Sequence, residues 1–464
     1  MRVAAGWCAV ALTLSAAAAA QDARTPHEQL ARDVFRELIE INTTESRGST
    51  LEAARAMAAR LRAAGFPDSD VVVTPMTPRK GNLVARLRGR TTGRKPILLL
   101  AHIDVVEADP RDWTLPPFAF IERDGTFYGR GVADDKDEAA IYIANLIRMK
   151  EEGYTPDRDI IVALTTDEEG GPNNGVQWLL ANRPELIDAA FALNEGGGGT
   201  LIDGRRISNN IQASEKKFLS FQLEVTNPGG HSSRPVKDNA IYRLSAALLR
   251  IGAYDFPVHL NEVTRAYFER TAAIVEADLA HAMRTILDNP ADSAAAATLA
   301  RDPAYNARLR TTCVATMLTA GHAQNALPQR ATAIVNCRIL PDESQAAVEE
   351  TLTRLIADDQ VRLTPVGQAT DSPPSPLTPG LLQSVERLTE EMWPGVPVIP
   401  TMSTGATDGL YLRNAGIPVY GVSGLFYGDT FAHGMNERIP VRSFYEGQKF
   451  LYRLVKALTS GGVS

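Results

Sequence analysis

Histidine and carboxylate side chains stand at the ends of apolar segments in this chain, where ordinary core strands carry neither. ILLLAHIDVV, residues 97 to 106, reads as a buried strand except for His102 and Asp104. Residues two apart on a strand project from one face, so these two can share a site. Taken alone, they fit a core histidine hydrogen-bonded to an aspartate equally well. Two further apolar segments end in the same way, TTDEEGG with Asp167, Glu168 and Glu169, and LNEGGGG with Glu195. Between them GRGVADDKDE sets Asp134 and Asp135 after a Gly-rich turn, and FAHGMNERIP brings His433 into a loop near the C-terminus. Singly, each motif also fits a solvated helix start, a flexible loop, a surface turn or a loop histidine. Together they converge too much negative charge for a site without cations. Imidazole plus carboxylate with no thiol is the ligand set of a hydrolytic zinc site.

The elements that must position these groups follow from hydrophobic periodicity. LARDVFRELIEI and LEAARAMAARLRAAG repeat apolar residues at helical spacing, and DVVVTPM and GNLVARLRG look like short strands. ILLLAHIDVV, DIIVALTT and AAFALN are apolar strands separated by the helical EAAIYIANLIRMKEEG and GVQWLLANRPEL. This alternation predicts an α/β fold with a mainly parallel sheet covered on both faces, whose ligands sit at the carboxyl ends of its strands. From about residue 213 the order becomes β-α-β-β-α-β, the ferredoxin-like arrangement, interrupted between about 255 and 310 by an Ala-rich helical insertion. The Pro-rich DSPPSPLTP at 371–379 then leads back to helix–strand units. The expected division is a signal segment at 1–20, a catalytic unit split between 21–212 and 369–464, and an inserted α+β unit at 213–368.

At 464 residues, with 44% hydrophobic and 22% charged residues, the chain has ample material for a core. Its net charge of −7 argues against a nucleic-acid partner, which would need a basic face. The N-terminus has Arg2, an apolar stretch and small residues ending at Ala20, the pattern of an export signal. Cys8 lies inside that stretch and is not read as a lipid-attachment site, and no later segment is apolar for the length that a membrane span requires. A periplasmic or secreted protein would then retain Cys313 and Cys337. A symmetric hairpin centred near Asn325 would set these cysteines opposite each other, and a one-residue slip would separate them to opposite faces. The sequence reading favours two buried thiols.

HIDVVEADPRDWTLPPFAFIERDGTFYGRGVADDKDE, TTDEEGG, NEGGGG, NPGGHSSRP and GATDG, in this order, resemble the co-catalytic di-zinc peptidases of metallopeptidase family twenty. That family includes aminoacylase-1, carboxypeptidase G, carboxypeptidase S and dipeptidases. The resemblance spans essentially the whole mature chain. It departs at Asp137, where the family usually has Gly, and in the enlarged insertion. It implies that His102 and Glu195 bind one zinc, Glu169 and His433 the other, and Asp134 bridges them, with a cis peptide between Asp134 and Asp135. Co²⁺ would be expected to substitute. Asp104 would accept the remaining ring N–H of His102 and set its tautomer. Glu168 would be the general base, taking a proton from the attacking water and passing it to the leaving nitrogen. Three ligand carboxylates and a hydroxide balance two divalent ions, which leaves Glu168 free to hold that proton.

By the same resemblance His231 would stabilise the oxyanion, in some relatives from a partner subunit. Asn336 and Arg338, alternating onto one strand face, would clamp a substrate carboxylate, and Asn325, Gly405 and Thr407 would line the pocket. The bland readings are a turn histidine and an exposed strand arginine. The implied protein is an exported di-zinc hydrolase of an amide bond next to a free carboxylate: a dipeptidase, carboxypeptidase or N-acyl-amino-acid deacylase, with a homodimer through the inserted unit as an option. The alternative is an inactive binding protein on the same fold. Such a protein should lack a ligand or the base, and every one is present. Serine-hydrolase chemistry is disfavoured, since there is no Gly-x-Ser-x-Gly elbow, and HEQLA at His27 lacks the second His of a zincin helix.

Overall fold

The computed structural model describes residues 24–90 and 93–460. The expected export segment at 1–20 lies outside them. The fold is mixed α/β, as the alternation of apolar strands and amphipathic helices requires. Ile97–His102 lies at the centre of a ten-stranded sheet, parallel to Ile160–Thr165 on one side and to Phe191–Asn194 on the other. Val419–Gly421 continues the parallel run beside Phe191–Asn194, so chain after residue 379 completes a sheet begun before residue 90. Every residue of Ile97–His102 and of Ile160–Thr165 is buried, which accounts for their continuous apolar sequences. Helices Pro26–Glu40, Thr50–Ala63, Lys136–Glu151 and Val441–Leu458 share one core with one face of this sheet, and Gly175–Asn182 packs against the other.

Arg205–Glu215 is a long strand that periodicity did not reveal, because RRISNNIQASE is mostly polar. Distant partners hold two of its asparagines. Asn209 Nδ2 donates to Thr389 Oγ1 at 2.9 Å, and Asn210 Nδ2 to the Gly198 carbonyl at 2.8 Å. The strand pairs with Gly198–Ile202 and, in parallel, with Val398–Ser403.

Beyond Glu215 the chain enters a four-stranded antiparallel sheet in the order Thr312–Ala320, Arg330–Ile339, Lys217–Thr226, Val361–Val366. Its apolar face packs with helices Ala240–Gly252 and Gln345–Ile356 into a separate core. The insertion folds as four helices between Glu262 and Leu309 with a core of their own. Helix Glu262–Thr271 also reaches the large sheet, where Arg270 Nη1 donates to the Val398 carbonyl at 2.8 Å.

The expectation of two free thiols is corrected. Cys313 pairs directly with Cys337 and is disulfide-bonded to it, with Cα atoms 4.1 Å apart. Nearer the turn the register is offset by one, Met317 facing Ile334, and the irregularity between Ala315 and Met317 shifts it so that Cys313 meets Cys337 rather than Arg338. Among the described residues no helix is long and apolar enough to cross a membrane.

Candidate active site

The strand Ile97–His102 ends at His102, so the imidazole emerges at the carboxyl edge of the parallel strands with only 2% of its surface exposed. Its Nε2 lies 3.0 Å from Asp134 Oδ1 and 3.9 Å from Glu195 Oε2. The other oxygen of Asp134 lies 3.1 Å from His433 Nε2, which is 2.9 Å from Glu169 Oε2. Asp134 therefore faces two ligand sets at once. His102, Asp134 and Glu195 form one group and Asp134, Glu169 and His433 the other, each with its donor atoms within 4.8 Å of one another. The Asp134–Asp135 peptide is cis, and His433 holds a left-handed backbone conformation, φ 62°, in the exposed loop that carries it.

The chain's own charges make this a cation-seeking centre. Burial opposes charge on His102, yet the hydrogen bond to Asp134 and the fields of Glu195 and Glu168 hold its pKa well above the ordinary value. His433 is raised to about 10 by its hydrogen bonds to Asp134 and Glu169. Against the burial penalty, the two imidazoles hold the Asp134 carboxyl below the usual range. Burial, then the charge of Glu168, pushes Glu195 up. Protons relieve this crowding of carboxylates in the absence of metal, and a cation entering the site must displace them. Two imidazoles and three carboxylates, one shared, with no thiol, fit a pair of divalent ions.

Glu168 lies beside this centre but belongs to neither ligand group. Its pKa is raised to about 9, first by burial and then by the carboxylates of Asp408, Glu169 and Asp104. A half-buried carboxyl that readily holds a proton next to a candidate cation-binding centre suits proton transfer.

Asp104 acts differently from the sequence expectation. It lies beyond the end of the strand, and its main-chain carbonyl, not its carboxylate, meets His102 Nδ1 at 3.1 Å; the nearer carboxylate oxygen is 3.7 Å away. The carboxylate instead accepts the backbone N–H groups of Glu168 at 3.2 Å and Glu169 at 3.0 Å. Asp104 thus holds His102 through its backbone and the Glu168–Glu169 loop through its side chain. Asp137 is buried, and Tyr427 donates a 3.3 Å hydrogen bond to it.

The expected substrate groups are distributed over the two units. Asn336 and Arg338 do share a strand face, opposite Ser220 and Phe218. Asn336 Nδ2 donates to Ser220 Oγ at 3.1 Å, and the Arg338 guanidinium lies 4.8 Å from the Phe218 ring centroid. Among the described residues no carboxylate pairs with Arg338, and burial lowers its pKa. His231 is exposed and touches none of the candidate ligands; its Nδ1 accepts the Ser233 N–H at 3.1 Å, which leaves Nε2 to carry a proton outward. Asn325 is exposed beside it, its carbonyl accepting the Ser232 N–H at 3.0 Å. Gly405 lies partly exposed in its loop. Thr407 departs from the pocket-lining expectation: it is buried, and its amide and hydroxyl both donate to Glu215, at 3.1 and 2.9 Å.

The match to Peptidase family M20/M25/M40 extends over residues 98–457, from the strand carrying His102 to the last helix. The chain belongs to peptidase family M20. It is a hydrolase of amide bonds in a metal-dependent family. It is similar to the human N-fatty-acyl-amino acid synthase/hydrolase PM20D1, 30% identical over 80% of this chain and 75% of that protein. It is also similar to rat aminoacylase-1A, 26% identical over 92% of this chain and 95% of that one. Among solved structures, the M20 family metallo-carboxypeptidase Sso-CP2 from Sulfolobus solfataricus superposes with a TM-score of 0.68 at 19% identity, covering 92% of this chain and 98% of that one. The Bacillus subtilis YXEP protein, described as a dinuclear metal-binding peptidase, superposes with a TM-score of 0.59 at 13% identity over 93% and 98%.

Three residues important to this centre escaped the sequence reading. Glu437 Oε1 accepts the Ala133 N–H at 2.8 Å, and Oε2 accepts Gly131 N–H at 3.1 Å and Arg130 Nη1 at 2.6 Å. Arg130 Nη2 also donates to the Gly434 carbonyl at 3.1 Å, so this pair joins the loop of Asp134 to that of His433. Asp408 lies behind Glu168, its carboxyl raised to about 7 by burial, and accepts Asn174 Nδ2 at 2.6 Å. The signal was present in ERIP and GATDG, but a lone acid in either motif does not reveal which amide it will face.

Proposed function

We propose that the protein is an exported di-zinc hydrolase that cleaves the amide bond of an N-acyl amino acid, a dipeptide or a peptide C-terminus beside a free carboxylate. The observation carrying this reading is Asp134, whose two oxygens face separate histidine–carboxylate sets with half-buried Glu168 alongside. His102 and Glu195 would hold one ion, Glu169 and His433 the other, and Asp134 both. Bound divalent ions would supply Lewis acidity to the scissile carbonyl and lower the pKa of water. Glu168 takes a proton from the attacking water and donates it to the departing nitrogen. Asp104 keeps Glu168 and Glu169 in register by holding their two N–H groups. Arg338, with no carboxylate of its own, is suited to grip the substrate's carboxylate, and Asn336 flanks it. His231, with its Nε2–H free, is suited to the oxyanion.

Relatives named for fatty-acyl-amino-acid and acylamino-acid hydrolysis support the acyl amino acid as the first substrate to try. The disulfide supports export, since such bonds persist in oxidising compartments. A homodimer through the inserted unit is supported by the sheet-edge strand Thr312–Ala320, with Val314, Met317 and Leu318 exposed, and by exposed Tyr242 and Leu249 on the adjacent helix.

The test combines metal analysis with a substrate panel of N-acyl amino acids, free dipeptides and longer peptides. About two zinc ions per chain should be retained, chelation should abolish hydrolysis, and Zn²⁺ or Co²⁺ should restore it. Full activity of metal-free protein would end the proposal.

A further inference from the structure

Glu215 is fully buried at the last position of its strand, where the chain leaves the large sheet for the four-stranded one. The returning chain runs beside it: the Ser375 N–H donates to the Ala213 carbonyl at 2.8 Å, and Ser372 Oγ donates to Glu215 Oε1 at 3.0 Å. Arg413 Nη1, also buried, donates to the same oxygen at 2.6 Å. One carboxylate therefore binds both crossings between the two folded units.

Its other oxygen, Oε2, accepts both the amide and the hydroxyl of Thr407. Two contacts lead from there to the reaction centre. Asn194, immediately before Glu195, donates Nδ2 to Thr407 Oγ1 at 3.4 Å. Asp408, immediately after Thr407, accepts Asn174 Nδ2, which also donates to the Asp167 carbonyl at 3.2 Å, one residue before Glu168. Asn174 in turn caps helix Gly175–Asn182 through the Gln177 N–H, so the DEE loop is held at both ends. These bonds are largely excluded from water, where unmet polar groups are costly and a shift in one member is felt by the next.

We propose that Glu215 is a positioning residue: through Thr407 it sets the loops carrying Glu168, Glu169 and Glu195, and so couples the orientation of the inserted unit to the geometry of the hydrolytic centre. The assignment of those three side chains to base and ligands rests on the function proposed above. Thr407 on this account serves the reaction without touching substrate.

Thr407→Val is the informative variant, because it keeps the Glu215–Arg413 pair and the side-chain volume and removes the hydroxyl alone. In metal-reconstituted protein, kcat should fall about tenfold or more while KM stays within about twofold, and Thr407→Ser should restore most of the rate. Metal release to excess EDTA should quicken by about tenfold. Glu215→Gln should show the same signature, and the double variant should lose little more in kcat than the worse single one, because both reach the centre through Thr407. Should Glu215→Gln fail to fold, Thr407→Val alone decides. A raised KM with unchanged kcat would assign Thr407 to substrate contact and overturn the proposal. A lowered Tm with unchanged kcat and metal release would reduce Glu215 to a stabilising role, with the same result. If the parent protein hydrolyses none of the panel, the proposed function fails, and the metal-release comparison still decides the coupling.

Discussion

Glu437→Gln tests whether the loops of Asp134 and His433 are held together by a buried ion pair. The Arg130 and Glu437 side chains are 2% and 0% exposed. Glutamine keeps the volume and one acceptor oxygen but leaves the guanidinium without its counter-charge and at least one of three donors unmet. Removing one partner from a buried pair costs about 3–5 kcal/mol, a large fraction of the roughly 5–15 kcal/mol that holds a domain folded. The lost amide hydrogen bond belongs to the turn leading into Asp134, and Arg130 also holds the loop of His433. Freeing these loops should weaken metal binding by about 10- to 100-fold, equivalent to roughly 1.4–2.7 kcal/mol. The assays are urea unfolding of chelated protein and competition for zinc against a chromophoric chelator. Adding Arg130→Met to Glu437→Gln removes the stranded charge, so stability should partly recover while metal affinity does not. Unfolding midpoint and zinc affinity both equal to those of the parent would refute the reasoning. Recovery of affinity in the double variant would show that charge, not loop placement, was the cause.

Glu168→Gln should retain both metals and lose about two to four orders of magnitude in kcat, whereas Glu169→Ala should lose metal; equal metal loss in the two would undo this division of labour between neighbours. Arg338→Ala should lower kcat/KM by about two orders of magnitude, on the scale of roughly 3 kcal/mol for a charge-assisted pair, with metal content unchanged. A C-terminally amidated substrate should be poor for the parent and little worse for the variant, and equal cleavage of free and amidated forms would remove the clamp. Lys216 is pushed down to about 7 by burial, where its Nζ donates to the Arg310 carbonyl at 2.7 Å. Between about pH 7 and 10.5 the unfolded chain holds this proton and the folded one does not, so its contribution favours folding increasingly as pH rises. The stability of the parent relative to Lys216→Met should therefore grow by on the order of 2 kcal/mol from pH 7.5 to 9.5 in urea unfolding, and a pH-independent difference would contradict it.

Local sequence was enough to specify the central parallel strands and the residue types gathered at their ends. Ile97–His102 and Ile160–Thr165 are apolar throughout, a local property that periodicity detects without knowledge of the partner strands. The two groups that could hold cations were equally legible as residue types, because clustered carboxylates and imidazoles after such strands have few other uses. Arg205–Glu215 was not legible: Asn209, Asn210 and Glu215 are held by Thr389, Gly198 and Thr407, and nothing local predicts those partners. The cysteines show the same limit, since the bond depends on whether a bulge falls before or after the Cys313–Cys337 pair. Asp104 was placed correctly near His102, but only the end of the strand decided that its carbonyl would meet the ring and its carboxylate the Glu168–Glu169 backbone. Glu437 and Arg130 are 307 positions apart, and Glu215 and Thr407 are 192 apart. Composition and spacing specify which groups are buried and how a segment repeats, whereas a hydrogen bond needs donor and acceptor within about 3 Å at a favourable angle. For groups separated by hundreds of residues, the packing of whole elements alone brings that about.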